Sequence, residues 1–347
     1  MTAPRDYVDD PRFSSTFELP AGNGRSSSFK VKYADYGYRN EADPGKENVF
    51  LFFGSMLGSR LVHIGKDVLA KKHKVRIINL DRPGVGGTDP VADPKASMGL
   101  WRALDLLLHH PEIIHPESPF LAIGGPWILP NRTGSTLLSI AKALPRPIIS
   151  NTDKLARLIN NHLGPFIGNT IGLSAGLVSS LLPRKKAKPP AAPREDEAAE
   201  VGSAEFEAQL WSPIIDRIYA EGVAGISSDA VLFLQKGMDG WSDWGDYDTG
   251  VARLAEVLRA AGKRLRVDVF YPSSDFFVGG EGDKGPRWFN RCWEAASDVI
   301  HFQSSTVKGA DHDGIWMLKF GVPQSVFETI ESLGEERRVQ AAGSESL

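Results

Sequence analysis

The sequence predicts an α/β protein with a mostly parallel sheet covered by helices on both faces. Three observations lead there. Short apolar runs rich in β-branched residues recur along the chain, amphipathic helical stripes lie between them, and residues 48–80 read as a strand–helix–strand unit.

The elements follow in order. Ser15 to Leu19 and Phe29 to Tyr36 flank the turn-forming Ala21-Gly22-Asn23-Gly24 and predict a hairpin. Asn48 to Phe53 is an apolar strand ending at Gly54, and Leu61 to Lys72 has the helical spacing of Leu61, Ile64, Val68 and Leu69. Lys74 to Leu80 is the next strand, ending at Asp81. Leu100 to His109 reads as a helix through Leu100, Leu104, Leu107 and Leu108. Phe120 to Gly124 is a buried strand and Thr136 to Leu144 a further helix. A helix over Val251 to Ala260, capped by Asp248 or Thr249 and stopped by Gly262, precedes the strand Leu265 to Tyr271. A helix near Arg287 to Ala296, a strand over Val299 to Val307 and a helix over Pro323 to Leu333 complete the pattern.

From Asn151 to Gly245 the strand–helix rhythm stops. That stretch is expected to be an inserted cap (151–245), with a disordered loop at 183–203 around a Pro, Ala, Lys and Glu run too polar to bury a core. The α/β core is then residues 1–150 and 246–334, followed by a flexible tail at 335–347. Residues 163–182 carry no charge, but four glycines and several Asn, Thr and Ser residues dilute them, so a membrane span is not expected.

The 347 residues carry a formal net charge of −3, which argues against a general nucleic-acid binder. The single cysteine, Cys292, rules out an internal disulfide framework and reads as a small apolar filler in a reducing, cytoplasmic setting. Met1 to Pro11 has no apolar segment of the kind a secretory signal needs. No cluster of His, Cys, Asp or Glu has metal-ligand spacing, and no cofactor is expected.

In a parallel α/β sheet reactive groups gather at the carboxyl ends of the strands. The first such end is Gly54-Ser55-Met56-Leu57-Gly58, a turn able to aim backbone N–H groups at a ligand oxygen; a plain strand-to-helix turn would look the same. The second is Asp81-Arg82-Pro83-Gly84-Val85-Gly86-Gly87-Thr88, a tight glycine loop without the Gly-Lys-Ser/Thr ending of a phosphate loop. Strand Leu265 to Tyr271 leads to Asp275, with Asp283 as the competing acid. The last strand leads to His312, between Asp311 and Asp313, which could hold a charge on the ring without catalysis. His63, just past the first turn, is a second histidine able to face a site there.

Strand-Phe-Gly, strand-Asp-Arg-Pro-Gly-x-Gly-x-Thr, a late Asp and a later Gly-x-x-His together resemble the α/β-hydrolase superfamily, of the AB hydrolase-1 type. The wider contexts, residues 118–127 (SPFLAIGGPW) and 309–316 (GADHDGIW), are similar to fungal members. The resemblance implies an α/β-hydrolase fold and a Ser-Asp-His triad of Ser97, Asp275 and His312. It also implies an oxyanion hole from the N–H groups of Ser55 or Met56 and of Met98. The reaction it implies is hydrolysis of an ester or lactone. The apolar stretch 159–182, with Trp211 and Trp241, suggests a small apolar substrate, although those aromatics can equally be core. An epoxide hydrolase or haloalkane dehalogenase of the superfamily would carry Asp where Ser97 stands.

The sequence departs from the family pattern at the nucleophile. Lys95 replaces the first glycine of Gly-x-Ser-x-Gly, and only eight residues separate Thr88 from Ser97. A helix and a strand need roughly 20–30 residues. The helix and strand that should lead to Ser97 therefore have no room, and a segment is expected to be lost just before Ala96, in the gene or through a mis-predicted splice. The competing reading is a hydrolase-fold protein that binds a ligand or serves a biosynthetic pathway without hydrolysis.

Overall fold

The computed structural model describes residues 2–22, 26–54, 58–91, 119–151, 199–236, 245–275, 277–279 and 282–344. The chain divides into two compact units: Met1–Ala92 with Asn151–Ser228 and Met317–Glu335, and Asp93–Ser150 with Asp229–Trp316 and Glu336–Leu347.

The first unit contains the predicted hairpin, β1 (Ser15–Leu19) against β2 (Phe29–Gly37), with Leu19 opposite Phe29. Strand β2 runs antiparallel to β4 (Val75–Leu80), and β3 (Asn48–Phe53) runs parallel to β4, in the order β1-β2-β4-β3. The βαβ unit is present, but its helix α2 is shorter than the apolar spacing predicted, Asp67–Lys72 rather than Leu61–Lys72. The upstream residues turn instead, burying Arg60, Leu61 and Ile64 almost completely, with one 3-10 turn at Ile64–Lys66. Asp67 fixes the start of α2: its carboxylate accepts from the Gly37 N–H at 2.9 Å and pairs with Arg12 at 2.8 Å.

Helix α1 (Pro4–Val8) places Tyr7 edge-on to Phe206 of a long helix within residues 204–221, with ring centroids 5.2 Å apart. That helix also buries Leu210, Ile214 and Ile218 at four-residue spacing. Its start corrects the sequence reading. Residues 199–203, the end of the stretch expected to be a disordered loop, form a turn whose Ser203 hydroxyl accepts from the Phe206 N–H at 3.1 Å and caps the helix. Residues 183–198 lie outside the described residues, as do 163–182 and Trp241.

A buried ionic knot ties this unit together. Arg60, fully buried, donates to Asp81 at 2.5 Å and, through both terminal nitrogens, to Glu221 at 2.7 and 2.8 Å. It donates further to the carbonyls of Phe13 and Gly86. The Arg60 backbone N–H also donates to Asp81, at 2.6 Å. Here the glycines of the Asp-Arg-Pro-Gly loop find their reason. Gly86 has φ +62°, and a Cβ on it would sit inside the Asp81 carboxylate; Gly84 accepts from the Gly225 N–H at 2.9 Å, too close for side chains.

In the second unit β5 (Phe120–Gly124), β6 (Leu265–Pro272) and β7 (Ile300–Val307) form a parallel sheet in that order. Strand β6 is central and nearly continuously buried. On one face Val267, Val269, Tyr271 and Ile300 pack with Val251, Leu254 and Leu258 and with Trp288, Phe289 and Trp293. The first helical group lies within residues 247–260, four residues longer at its start than predicted. Neither Asp248 nor Thr249 caps it, because Asp246 holds the N-cap position and the Asp248 carboxylate accepts from Trp288, Arg132 and Cys292. Gly262, at φ +63°, follows its end as expected. Cys292 belongs to this core; burial first, then Asp248, pushes its thiol up to about 12, which makes it unreactive filler.

Numbered in chain order, the helices are α1 and α2; α3 (Pro130–Thr133), α4 (Thr136–Ala143) and α5 (Arg146–Ile149); α6 (Ala204–Glu221) and α7 (Gly225–Phe233); α8 (Tyr247–Ala260), α9 (Pro286–Glu294) and α10 (Val322–Ser344). Helix α10 passes the predicted end at Leu333. Its extension, Glu335-Glu336-Arg337-Arg338-Val339-Gln340-Ala341-Ala342, is built of good helix formers, so the tail expected to be frayed is helical as far as Ser344. None of the described helices is long and apolar enough to cross a membrane.

Truncating one partner of a buried ion pair strands the others, at a cost of about 3–5 kcal/mol. Arg60→Leu should therefore lower the unfolding free energy by that amount in urea titrations. A loss below about 1 kcal/mol, the size of an exposed pair, would contradict the role given to this knot.

Candidate active site

Two loops in the second unit, after β6 and after β7, carry the histidine and acid singled out in the sequence. Adjacent parallel strands start these loops side by side, with Pro272 opposite Val307. Hydrogen bonds then hold the loops to each other. Ser273 N–H donates to the Val307 carbonyl at 3.1 Å, Gly309 N–H to the Ser273 hydroxyl at 2.9 Å, and Ser274 N–H to the Ala310 carbonyl at 3.2 Å. Gly309 turns at φ +75°, and the fully buried Ala310 anchors the loop.

At the end of this ladder Asp275 Oδ2 lies 2.8 Å from His312 Nδ1. The acid side chain is 1% exposed and the histidine 20%. The second oxygen of Asp275 accepts from the backbone N–H groups of Phe277 and Val278, at 2.8 and 3.2 Å. This local turn holds the carboxylate through the oxygen that the histidine does not use. Phe277 also packs its ring on the imidazole, centroids 4.9 Å apart. With Nδ1 committed to the acid, Nε2 is the nitrogen left to exchange a proton. Among the described residues it makes no hydrogen bond.

Asp283, the competing acid, pairs with Arg291 at 3.2 Å and is largely exposed. Asp311 is used locally, accepting from the Gly314 N–H at 2.7 Å. His63 does not resemble a catalytic base: it is buried with its ring 3.8 Å from that of Phe52, and burial, helped by Lys66, holds it neutral well below the ordinary histidine range.

Ser97, Met98, Ser55 and Met56 lie outside the described residues, as do the predicted helix over Leu100 to His109 and the segment before Ala96. The flanks of the Ser55–Met56 turn are described. A Cβ on Gly54 would come within 2.5 Å of Gly58 Cα, so the two ends of this turn nearly touch. Arg82 holds both, its side chain donating to the Gly54 carbonyl at 3.4 Å and its N–H to that of Gly58 at 3.3 Å. Among the described residues no group of His, Cys, Asp and Glu is arranged to hold a metal ion.

The contributions of Ser273 and Gly125 were missed in the sequence. Gly125 follows β5, and its Cα carries no side chain where the His312 ring lies. The available signals were a serine one residue past a strand and a glycine pair at a strand end, neither of which specifies a partner in another loop.

No protein-family model and no curated protein matches this sequence. Solved structures similar in backbone course include an epoxide hydrolase from Vigna radiata, at 13% identity and TM-score 0.45, covering 92% of this chain and 98% of that one. A carboxylesterase of the thaumarchaeon Nitrososphaera gargenis aligns at 12% identity and TM-score 0.45, over 92% and 100% of the two chains. A proline iminopeptidase from Mycobacterium smegmatis aligns at 13% and TM-score 0.42, over 93% and 100%. The chemistry therefore has to be read from this chain's own side chains.

Burial alone would lower the pKa of His312. The hydrogen bond and charge of Asp275, with Asp313 and Asp311 further out, outweigh it and raise the pKa above the ordinary value. With its folded pKa above the unfolded one, protonated His312 contributes stability fully below about pH 6.5 and loses it as pH rises through the raised value. Asp275→Asn should move the His312 midpoint, followed by NMR of the ring, to lower pH. An unchanged midpoint would show that Asp275 does not govern this ring.

Proposed function

We propose that this chain is a serine hydrolase of the α/β-hydrolase superfamily that cleaves ester or lactone bonds of a small apolar substrate. The observation that carries the reading is the Asp275–His312 pair, held at the carboxyl ends of neighbouring parallel strands with its acid preset by two backbone amides. That arrangement presents Nε2 as a general base. The glycine turn after β3 and the Asp-Arg-Pro-Gly loop after β4 belong to the same family pattern.

In this reading Ser97 Oγ attacks the carbonyl carbon as His312 Nε2 takes its proton. The N–H groups of Met98 and of Ser55 or Met56 bind the oxyanion. Collapse of the tetrahedral intermediate breaks the acyl–oxygen bond, and the leaving alkoxide receives the proton from His312. Water then repeats the sequence on the acyl-enzyme and frees Ser97. Asp275 keeps the imidazole in the tautomer with the proton on Nδ1 and stabilises the imidazolium that forms.

A second reading has a specific observation behind it. Strands β3 and β5 each end a sheet, with no further strand paired to them among the described residues, and the sequence leaves no room for a strand leading to Ser97. A fold kept for ligand binding or non-hydrolytic catalysis would leave Ser97 without a role.

A fluorophosphonate probe separates the two. It should label the wild-type protein at Ser97, and Ser97→Ala should abolish labelling together with hydrolysis of a short-chain aryl ester. Labelling that survives the substitution would remove Ser97 from the mechanism, and ligand turnover indifferent to it would favour the second reading.

A further inference from the structure

Two sequence stretches stood out without an assigned purpose: the Gly-Gly-Pro-Trp that follows β5, and the Gly-Ile-Trp that follows His312. In the second unit they are packed against each other. A Cβ on Gly124 would stand 2.5 Å from Trp316 Nε1 and 2.7 Å from its Cε2. A Cβ on Gly125 would stand 3.3 Å from His312 Nδ1 and 3.5 Å from Cε1. Neither glycine can simply back away. Gly124 is the last residue of β5, in register with Phe270, and Gly125 donates its N–H to the Phe270 carbonyl at 3.0 Å. Trp316 in turn sits 6.4 Å from the Phe270 ring.

We propose that Gly124 and Gly125 form a side-chain-free seat on the end of β5 for the histidine loop, and that Gly125 is a positioning residue for His312. The imidazole is confined by Phe277 and by the backbone of Gly125, while Asp275 pulls on Nδ1. A methyl group at residue 125 would press on the atom that bonds the acid. The ring would have to yield by a few tenths of an ångström, which displaces Nδ1 from its 2.8 Å bond to the acid. Gly124 acts at one remove, by leaving room for the Trp316 ring beside the strand end.

The assignment rests on the hydrolase reading only for its effect on turnover; the geometry can be tested without substrate. Gly125→Ala should bring the His312 midpoint, measured by NMR in the full chain, below that of the wild type. It should also lower kcat/KM for a short-chain aryl ester roughly 3- to 30-fold, since a 1 Å misplacement costs on the order of 100-fold. Backbone strain is controlled by Gly262→Ala. That residue has φ +63°, close to the +58° of Gly125, but a Cβ there meets nothing within 4 Å, so the His312 midpoint should not move. If Gly125→Ala does not fold, Gly125→Asn carries the same test, because Asn tolerates a left-handed backbone and still brings a Cβ.

A His312 midpoint at or above the wild-type value in the folded variant would overturn the positioning role. For the other half of the seat, Gly124→Ala should lower the melting temperature, and adding Trp316→Leu should recover part of that loss. A double variant no more stable than the sum of its parts would overturn the seat at Gly124. If the wild type hydrolyses no ester while Gly125→Ala still shifts His312, the seat stands and the hydrolase reading falls.

Discussion

A carboxylate removed from water needs compensation fixed in place, since its isolated burial costs several kcal/mol. That constraint organises both units of this chain. Asp81 is met by Arg60, Glu207 by Lys66 at 2.7 Å, and Asp275 by His312 with two amides. Arg60 is a cation at all ordinary pH values, so it serves as a permanent fastener. Only Asp275 is matched by a group that gains and loses its proton near neutrality. The same physics that makes a joint in one place makes a proton-exchanging pair in the other.

The fasteners also explain the spacing of the loops. Arg60 gathers the carbonyls of Phe13 and Gly86 with two acids, so the turn after β3, the Asp-Arg-Pro-Gly loop and the end of α6 share one side chain. Glu207 uses its second oxygen to receive the Leu318 N–H at 2.7 Å, linking α6 to the approach of α10.

How much of this was legible in the sequence differs by level. Strands β1 to β7 could be placed because apolar alternation and glycine stops are local signals. The helix after β3 could not, since Leu61 and Ile64 have helical spacing but are buried by a turn that the Asp81–Arg60 contact requires. Asp275 and His312 could be singled out from their positions past β6 and β7. Their geometry could not, because it depends on Ser273, Gly309 and Phe277 reaching across loops, and no local pattern encodes such contacts. Gly125 carries no local signal either, since the closeness of the His312 ring to it depends on a loop about 190 residues away.

Strand β7 has a consequence of its own. Among the described residues it is bonded on one side, to β6, and of its side chains only Ile300 is fully buried, while His301 and Gln303 to Thr306 face solvent. Central β6, by contrast, is buried along almost its whole length. Asp275 therefore follows the buried central strand of its unit and His312 an exposed edge strand, whose loop is held by its bonds to the Asp275 loop and by buried Ala310. Such edges open and close far more often than the core around them.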